Sequence, residues 1–347
     1  MDAIEIFNTI RDNASSIYQE RVPEGTRTNI EAVQEAMLDP NNAVVVNEFC
    51  NTLLNMVIKQ DLISKLFSDP LKPLKRGEKP LGDTVEEIYV NFIKAKQYDP
   101  TGVELLNRNL PDVKTIFHRM NRQDKYKITV GRQQLQKAFR SWGDLDAFIQ
   151  NIINTLFNSS ELDEFILIKQ LFKQAVDNNA MVVVNIPDPS TGKVNGEGAI
   201  KAVKKVSNQM TFPSTLFNAY TQVQSTDTVP ITTFSRKDEQ VLIIDSDTDV
   251  DLAIDVLAST FNMSVSEFND TRKVIIDAFP VEGMKFALVD QRFFQIYDDL
   301  VYFTDFENPE GLYRNYYLHV WQTLSYSVLV NGVAFVVSDS TSEQEGE

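Results

Sequence analysis

The chain has 347 residues, and with 43% apolar and 24% charged side chains it is rich enough in core-forming residues to fold as one large or two ordinary domains. A single cysteine, Cys50, excludes an intrachain disulfide framework, and one Cys with two His excludes zinc or iron–sulfur clusters. The net charge of −16 argues against general affinity for nucleic acid or anionic lipid. The first residues lack a signal-peptide pattern, and no apolar run approaches membrane-spanning length, so a soluble intracellular protein is expected.

The charge is uneven. Residues 1–70 carry net −6, residues 71–140 net +7, and residues 141–347 net −17. A basic middle segment between acidic flanks reads either as a solvated basic face or, because opposite fields steer and register association, as a segment lying on an acidic surface of another copy of the chain.

In chain order, Ile4, Phe7 and Ile10 begin a helix, and Val46–Phe67 repeats apolar residues at helical spacing. Pro70, Pro73 and Pro80 then break helical structure, leaving Leu71–Leu81 extended or turned, with Gly77 as turn centre. Thr84–Ile93 and Val113–Val130 are rich in β-branched and aromatic residues interleaved with charge, which predicts a protruding strand pair. Asp144–Val176 has no Pro or Gly and holds an apolar stripe, predicting a helix roughly 50 Å long that is capped by Asp144 and kinks near Asn158–Ser160.

Met181–Ile186 and Val241–Asp245 read as buried strands. Ala199–Gln209 and Val250–Phe261 read as short helices, the second capped by Asp249, with Ser190–Gly198 a loop. Arg272–Phe279, Phe286–Tyr297 and Leu312–Val337 read as strands, and Ser338–Glu347 as a polar tail.

Chemistry-bearing patterns are few. Asp245, Asp247, Asp249 and Asp251 alternate as in a calcium loop and would serve a metal-dependent hydrolase, yet Val250 stands where the loop needs Gly and Val256 where it needs Glu. A strand end followed by acidic residues at a helix N-terminus, favoured by the macrodipole, explains the run better. Ser190–Lys193 lacks phosphate-loop spacing. Glu86 and Glu87 are strand neighbours and point to opposite faces, so they form no acid/base dyad. His118 and His319 read as hydrogen-bonded structural groups and Cys50 as a small buried hydrophobe. No catalytic constellation, metal or cofactor is expected, and no membrane association.

Several segments resemble one known family. Lys75–Asp99, Pro111–Tyr126, Lys137–Phe165, Val250–Met263, Ala287–Leu300 and Asn308–Val336 are similar, in the same order, to the major capsid protein of the phi-29 group of short-tailed phages. The resemblance implies an α+β fold of the Hong Kong 97 (HK97-like) type. Its parts would be an N-terminal arm (1–70), an E-loop with P-domain strands (71–130), a P-domain spine helix (131–180), an A-domain (181–285) and P-domain return strands with a C-terminal tail (286–347). It also implies a non-enzymatic homo-oligomer of pentamers and hexamers forming an icosahedral head in the virion. The implied partners are a scaffolding protein, a portal protein and enclosed double-stranded DNA, with assembly in the host cytoplasm. A nanocompartment shell of encapsulin type shares this fold and is the alternative.

No crosslinking Lys–Asn pair is expected. The implied interface residues lie in and beside the E-loop: Lys75, Arg76, Gly77, Lys79, Glu86, Glu87, Lys94 and Lys96. On charge alone, this contact would be guided without a large apolar patch on the free subunit.

Overall fold

A computed structural model describes residues 3–39, 43–58, 69–98, 100–102, 106–223, 229–251 and 273–337. In chain order the elements are α1 (Ala3–Asn13), α2 (Ser16–Arg21), α3 (Ile30–Leu38), α4 (Ala43–Ile58), β1 (Gly77–Glu78), β2 (Val85–Val90), β3 (Val113–His118), β4 (Arg122–Gly131), α5 (Arg132–Ala138) and α6 (Trp142–Ile153). A π-helical turn, Asn154–Asn158, leads to α7 (Ser159–Asp177). Then come β5 (Val182–Ile186), α8 (Lys193–Gln209), α9 (Tyr220–Val223), β6 (Gln240–Asp245), α10 (Ser246–Asp251), β7 (Lys273–Ile276), β8 (Met284–Asp290), β9 (Phe294–Asn308), β10 (Tyr313–Tyr326) and β11 (Gly332–Val337).

The chain divides into two compact units. The first comprises Met1–Asp69, Arg122–Glu164 and Asp298–Gln322. In it β10 runs antiparallel to β4, with Tyr316 opposite Ile128 and Gln322 opposite Arg122. One face of this pair (Tyr126, Ile128, Val130, Tyr316, Leu318, Val320) packs against α1–α6. Phe7, Phe49, Phe139 and Trp142 join in edge contacts at the centre of that core. Gly25 is required there, since a Cβ would stand 2.7 Å from the Trp142 ring. The cap of α6 is Ser141 rather than Asp144. The Ser141 Oγ accepts from the Asp144 N–H at 3.1 Å and donates to its carboxylate at 2.8 Å, so Asp144 answers from the third position of a capping pair.

The second unit comprises Pro70–Asn121, Phe165–Tyr297 and Thr323–Glu347. Its five-stranded sheet has the order β5-β11-β8-β6-β7. Alternation along the strands supplies two faces. Phe286, Leu288, Val333 and Phe335 pack under α8. Ala287, Val289, Val241 and Ile243 join the cluster that includes Phe165, Ile168 and Phe172 of α7.

Several expectations need correction. The helix at Ser190–Gly198 starts earlier than its glycines suggested, because Gly192 at φ +133 ends a short turn and α8 begins at Lys193. Phe286–Tyr297 is two strands, β8 and β9, parted by a turn in which the Phe293 N–H donates to the Asp290 carbonyl. Val113–Val130 also divides: β3 belongs to a hairpin with β2, while β4 pairs with β10. Gly77 is not a turn centre; it sits in β1 at φ +119, and the turn falls at Gly82. Residues 59–67, 252–261 and 338–347 of the sequence reading lie outside the described residues.

Candidate functional site

The site the sequence nominates is the basic segment that begins at Lys75. In the second unit, β2 and β3 pair antiparallel, with Val85 opposite His118 and Val90 opposite Val113. Period-two alternation then sorts the side chains. Glu87 and Tyr89 on β2, with Lys114, Ile116 and His118 on β3, point inward. Tyr89 and Ile116 pack against the unit's core.

The inner face is also held by hydrogen bonds. His118 is buried between the Ser325 hydroxyl (Nδ1, 2.8 Å) and the Glu87 carboxylate (Nε2, 3.1 Å). The Tyr89 hydroxyl donates to the Thr232 carbonyl, and burial raises its pKa, keeping it a donor. Asn91 donates to the Pro230 carbonyl at 3.0 Å and accepts from the Thr232 N–H at 3.3 Å. Asn121 exchanges two 2.8 Å hydrogen bonds with the Leu324 backbone. Lys114 lies 2.8 Å from Asp112 and holds that carboxyl below its usual value.

The outer face is different. Glu86, Ile88 and Val90 on β2 and Val113, Thr115 and Phe117 on β3 point to solvent. Ile88 is 58% and Phe117 57% exposed, and the connecting segment adds Ile93, Leu106 and Leu110. This apolar face departs from the expectation of a charge-guided contact without one. Its signal was in the sequence, since T-V-E-E-I-Y-V-N-F-I holds apolar residues at both parities, and only one parity can face a core.

The nominated residues separate into four groups. Lys75 and Arg76 line a cavity of about 500 Å³ together with Lys273 and Arg292, and the Arg76 N–H donates to the Ile296 carbonyl at 2.9 Å, joining β1 to β9. Gly77 follows with a positive φ, and the Lys79 ammonium donates to the Asp83 carbonyl, closing the turn before β2. Glu87 is taken up by His118, whereas Glu86, Lys94 and Lys96 stay exposed. The structure thus brings Lys75 and Arg76 to one cavity and leaves Lys94 and Lys96 apart, beyond the end of β2. Sequence reasoning missed Ile88, Val90, Val113 and Phe117.

The aspartate run is structural. Asp245 caps α10 through the Thr248 N–H at 3.2 Å and lies 3.4 Å from Lys285, while Asp249 pairs with Lys273. The cap is therefore Asp245 and not Asp249. Among the described residues, no group of three or more His, Cys, Asp or Glu is placed to hold a metal ion.

The model of the Phi29-like phage major capsid protein family matches residues 7–336. The major capsid protein of Bacillus phage PZA is 35% identical over 340 residues, spanning 97% of this chain and 74% of that protein. That of Streptococcus phage Cp-1 is 24% identical over 351 residues, spanning 94% and 92%. Among solved structures, a chain of the Staphylococcus phage Andhra capsid superposes with a TM-score of 0.62 at 14% identity, covering 80% of this chain and 86% of that one. A chain from the structure of head fiber and inner core protein gp22 of native bacteriophage P68 gives 0.61 at 14% identity, covering 80% and 86%. The fold is the α+β HK97-like capsid fold, and with two thirds of its length and more aligned to these proteins the chain belongs to the Phi29-like phage major capsid protein family.

Proposed function

We propose that the chain acts without any enzymatic step, assembling as pentamers and hexamers into an icosahedral head that encloses double-stranded DNA. A scaffolding protein and a portal protein would assist in the host cytoplasm. In this reading residues 1–70 are the N-terminal arm, 71–130 the E-loop with adjoining strands, 131–180 the spine helix region, 181–285 the A-domain, and 286–347 the return strands and tail.

The carrying observation is the two-sided hairpin β2–β3. Its inner face is fastened by His118, Tyr89 and Asn91, while its outer face leaves Ile88, Val90, Val113 and Phe117 in solvent. A strand pair that is rigidly rooted and apolar on its free side is built for a surface that the free subunit lacks. Lys75, Arg76, Lys94 and Lys96 add positive charge at the hairpin's margins, in a chain that is net −17 after residue 140. Rim ion pairs are worth only about 0–1 kcal/mol each, but repetition over a closed shell multiplies weak contacts.

The test is charge reversal at the hairpin root. Lys75→Glu with Arg76→Glu should leave the unassembled chain with unchanged circular dichroism and stop shell formation in electron micrographs of scaffold-supplemented material. Normal shells from that variant would overturn the assignment of this segment to the interface.

A further inference from the structure

Strands β4 and β10 of the first unit have a side that its core does not use. Their even-numbered residues pack against α1–α6. Alternation therefore turns Gln123, Lys125, Lys127 and Thr129 of β4, with Asn315, Tyr317, His319 and Trp321 of β10, to the other side. The Thr304 hydroxyl of β9 lies 3.2 Å from His319 Nε2 and so belongs to this side too. With it come Tyr302 and Phe306, which are 57% and 67% exposed.

The two lysines converge on one ring. Lys127 stands opposite Tyr317 and Lys125 opposite His319. Both ammoniums lie over the Tyr317 ring, 5.7 and 5.5 Å from its centre. The side chains that β4 and β10 turn to this side include no aspartate and no glutamate. The carboxylate of β4 itself, Asp124, alternates to the opposite side and is taken by Arg122 at 2.6 Å. Like charges drawn to one aromatic ring repel each other, and an anion placed against both is attracted by both.

The surroundings narrow the kind of anion. Lysines of this chain pair with carboxylates: Lys114 with Asp112, Lys169 with Asp277, Lys273 with Asp249, and Lys285 with Asp245. In a chain of net charge −16, a second copy brings further carboxylates to any encounter. Tyr302, Phe306, Tyr317 and Trp321 make the flanks of the lysine pair aromatic, and aromatic residues are enriched where protein meets protein. The anion that fits is therefore a carboxylate standing among apolar side chains. The outer face of β2–β3 has that pattern. Glu86 is its single charge, opposite Phe117 and two positions from Ile88, with Val90 and Val113 further along.

We propose that Lys125 and Lys127, gathered over Tyr317, form a carboxylate clamp whose ligand is Glu86 of a second copy, with the apolar neighbours of that Glu86 lying on the clamp's aromatic flanks. One charge in an apolar face then meets two opposite charges in an aromatic one. Clamp and carboxylate are different patches of the chain, so the contact runs head to tail, and a fixed rotation closes such contacts into a ring. The inference rests on the capsid reading above and names the surface that receives its hairpin.

The experiment is a charge swap in the full-length chain. Glu86→Lys, the pair Lys125→Glu with Lys127→Glu, and all three changes together are compared with the unaltered chain by light scattering against protein concentration. Electron microscopy confirms that the scattering comes from shells, and circular dichroism confirms that each chain is folded. Like charges set against each other at an interface are costly, so Glu86→Lys alone and the lysine pair alone should each raise the concentration needed for shells by about tenfold or more. The combined variant restores opposite charges and should recover most of that loss. If the glutamate pair misfolds, Lys125→Gln with Lys127→Gln replaces it and should relieve the Glu86→Lys defect in the same direction. Unimpaired assembly in either partial variant would overturn the proposal, as would defects that persist undiminished in the combined one. Absence of shells from the unaltered chain would instead defeat the capsid reading, and this inference with it.

Discussion

Cys50 lies on α4 with no exposed surface, and burial pushes its thiol up to about 11, against a partial lowering by the Tyr316 hydroxyl bonded to it. Below pH 9 both the folded and the unfolded chain carry the protonated thiol. Above that the unfolded chain loses its proton first, so this residue's contribution to stability declines as pH rises from about 9 toward 11. A maleimide reagent at pH 8 should label Cys50 only in denaturant; equal labelling of the native chain would contradict its burial. This role was legible from sequence, because an apolar helix with Phe49 and Leu53 beside the cysteine specifies burial without reference to distant residues. The partner was not legible, since Tyr316 lies 266 positions further along the chain. The same limit applies to the aspartates. Their alternation is local, but the lysines that answer Asp245 and Asp249 are Lys285 and Lys273, on β8 and β7.

Helical residues continue from Trp142 to Asp177, and periodicity alone located this stretch within a few positions. The interruption of its apolar face near Asn158 marked the place where a π turn, Asn154–Asn158, shifts the register between α6 and α7. Long-range polar contacts left no such trace. In the first unit Arg122 donates to Gln322 Oε1 at 2.5 Å, and the Gln322 amide donates at 2.6 Å to both Glu164 and Asp298. These four are the terminal residues of the unit's two later segments, Arg122–Glu164 and Asp298–Gln322. Gln322 is 1% exposed and links the guanidinium to two carboxylates through its neutral amide. Gln322→Leu leaves buried polar groups short of partners and should cost about 2–4 kcal/mol. Urea unfolding of the unassembled variant measures it, and a midpoint equal to that of the unaltered chain would show the network to be dispensable. A glutamine in a strand carries no mark of this duty. The hairpin shows a similar division: its strands were legible from composition, its clasp of His118 by Glu87 and Ser325 was not.

At the scale of the whole molecule, two forces are available for association, and salt separates them. Charges on Lys75 and Arg76 act through a field that added salt screens, with a Debye length of about 10 Å at 0.1 M. The apolar outer face of β2–β3 is insensitive to that screening and is strengthened by excluded salts such as sulfate. Ile88 and Phe117 are diagonal neighbours on this face, since Phe117 stands opposite Glu86. Neither contributes to a buried core cluster, so Ile88→Glu with Phe117→Glu should preserve the fold. If apolar burial provides the closing contact, this variant forms no shells at any salt concentration, whereas the Lys75→Glu, Arg76→Glu variant recovers part of its assembly in sulfate. Light scattering against sulfate concentration reads both. Rescue of the Ile88/Phe117 variant by sulfate, with none for the charge-reversed one, would reverse the ranking and make electrostatics the dominant force. The free subunit's net charge of −16 gives the apolar face its opportunity. Like-charged copies repel at a distance, and in the proposed reading this repulsion would keep a solvent-facing Ile88–Phe117 surface from aggregating until the basic root aligned it on a neighbouring copy.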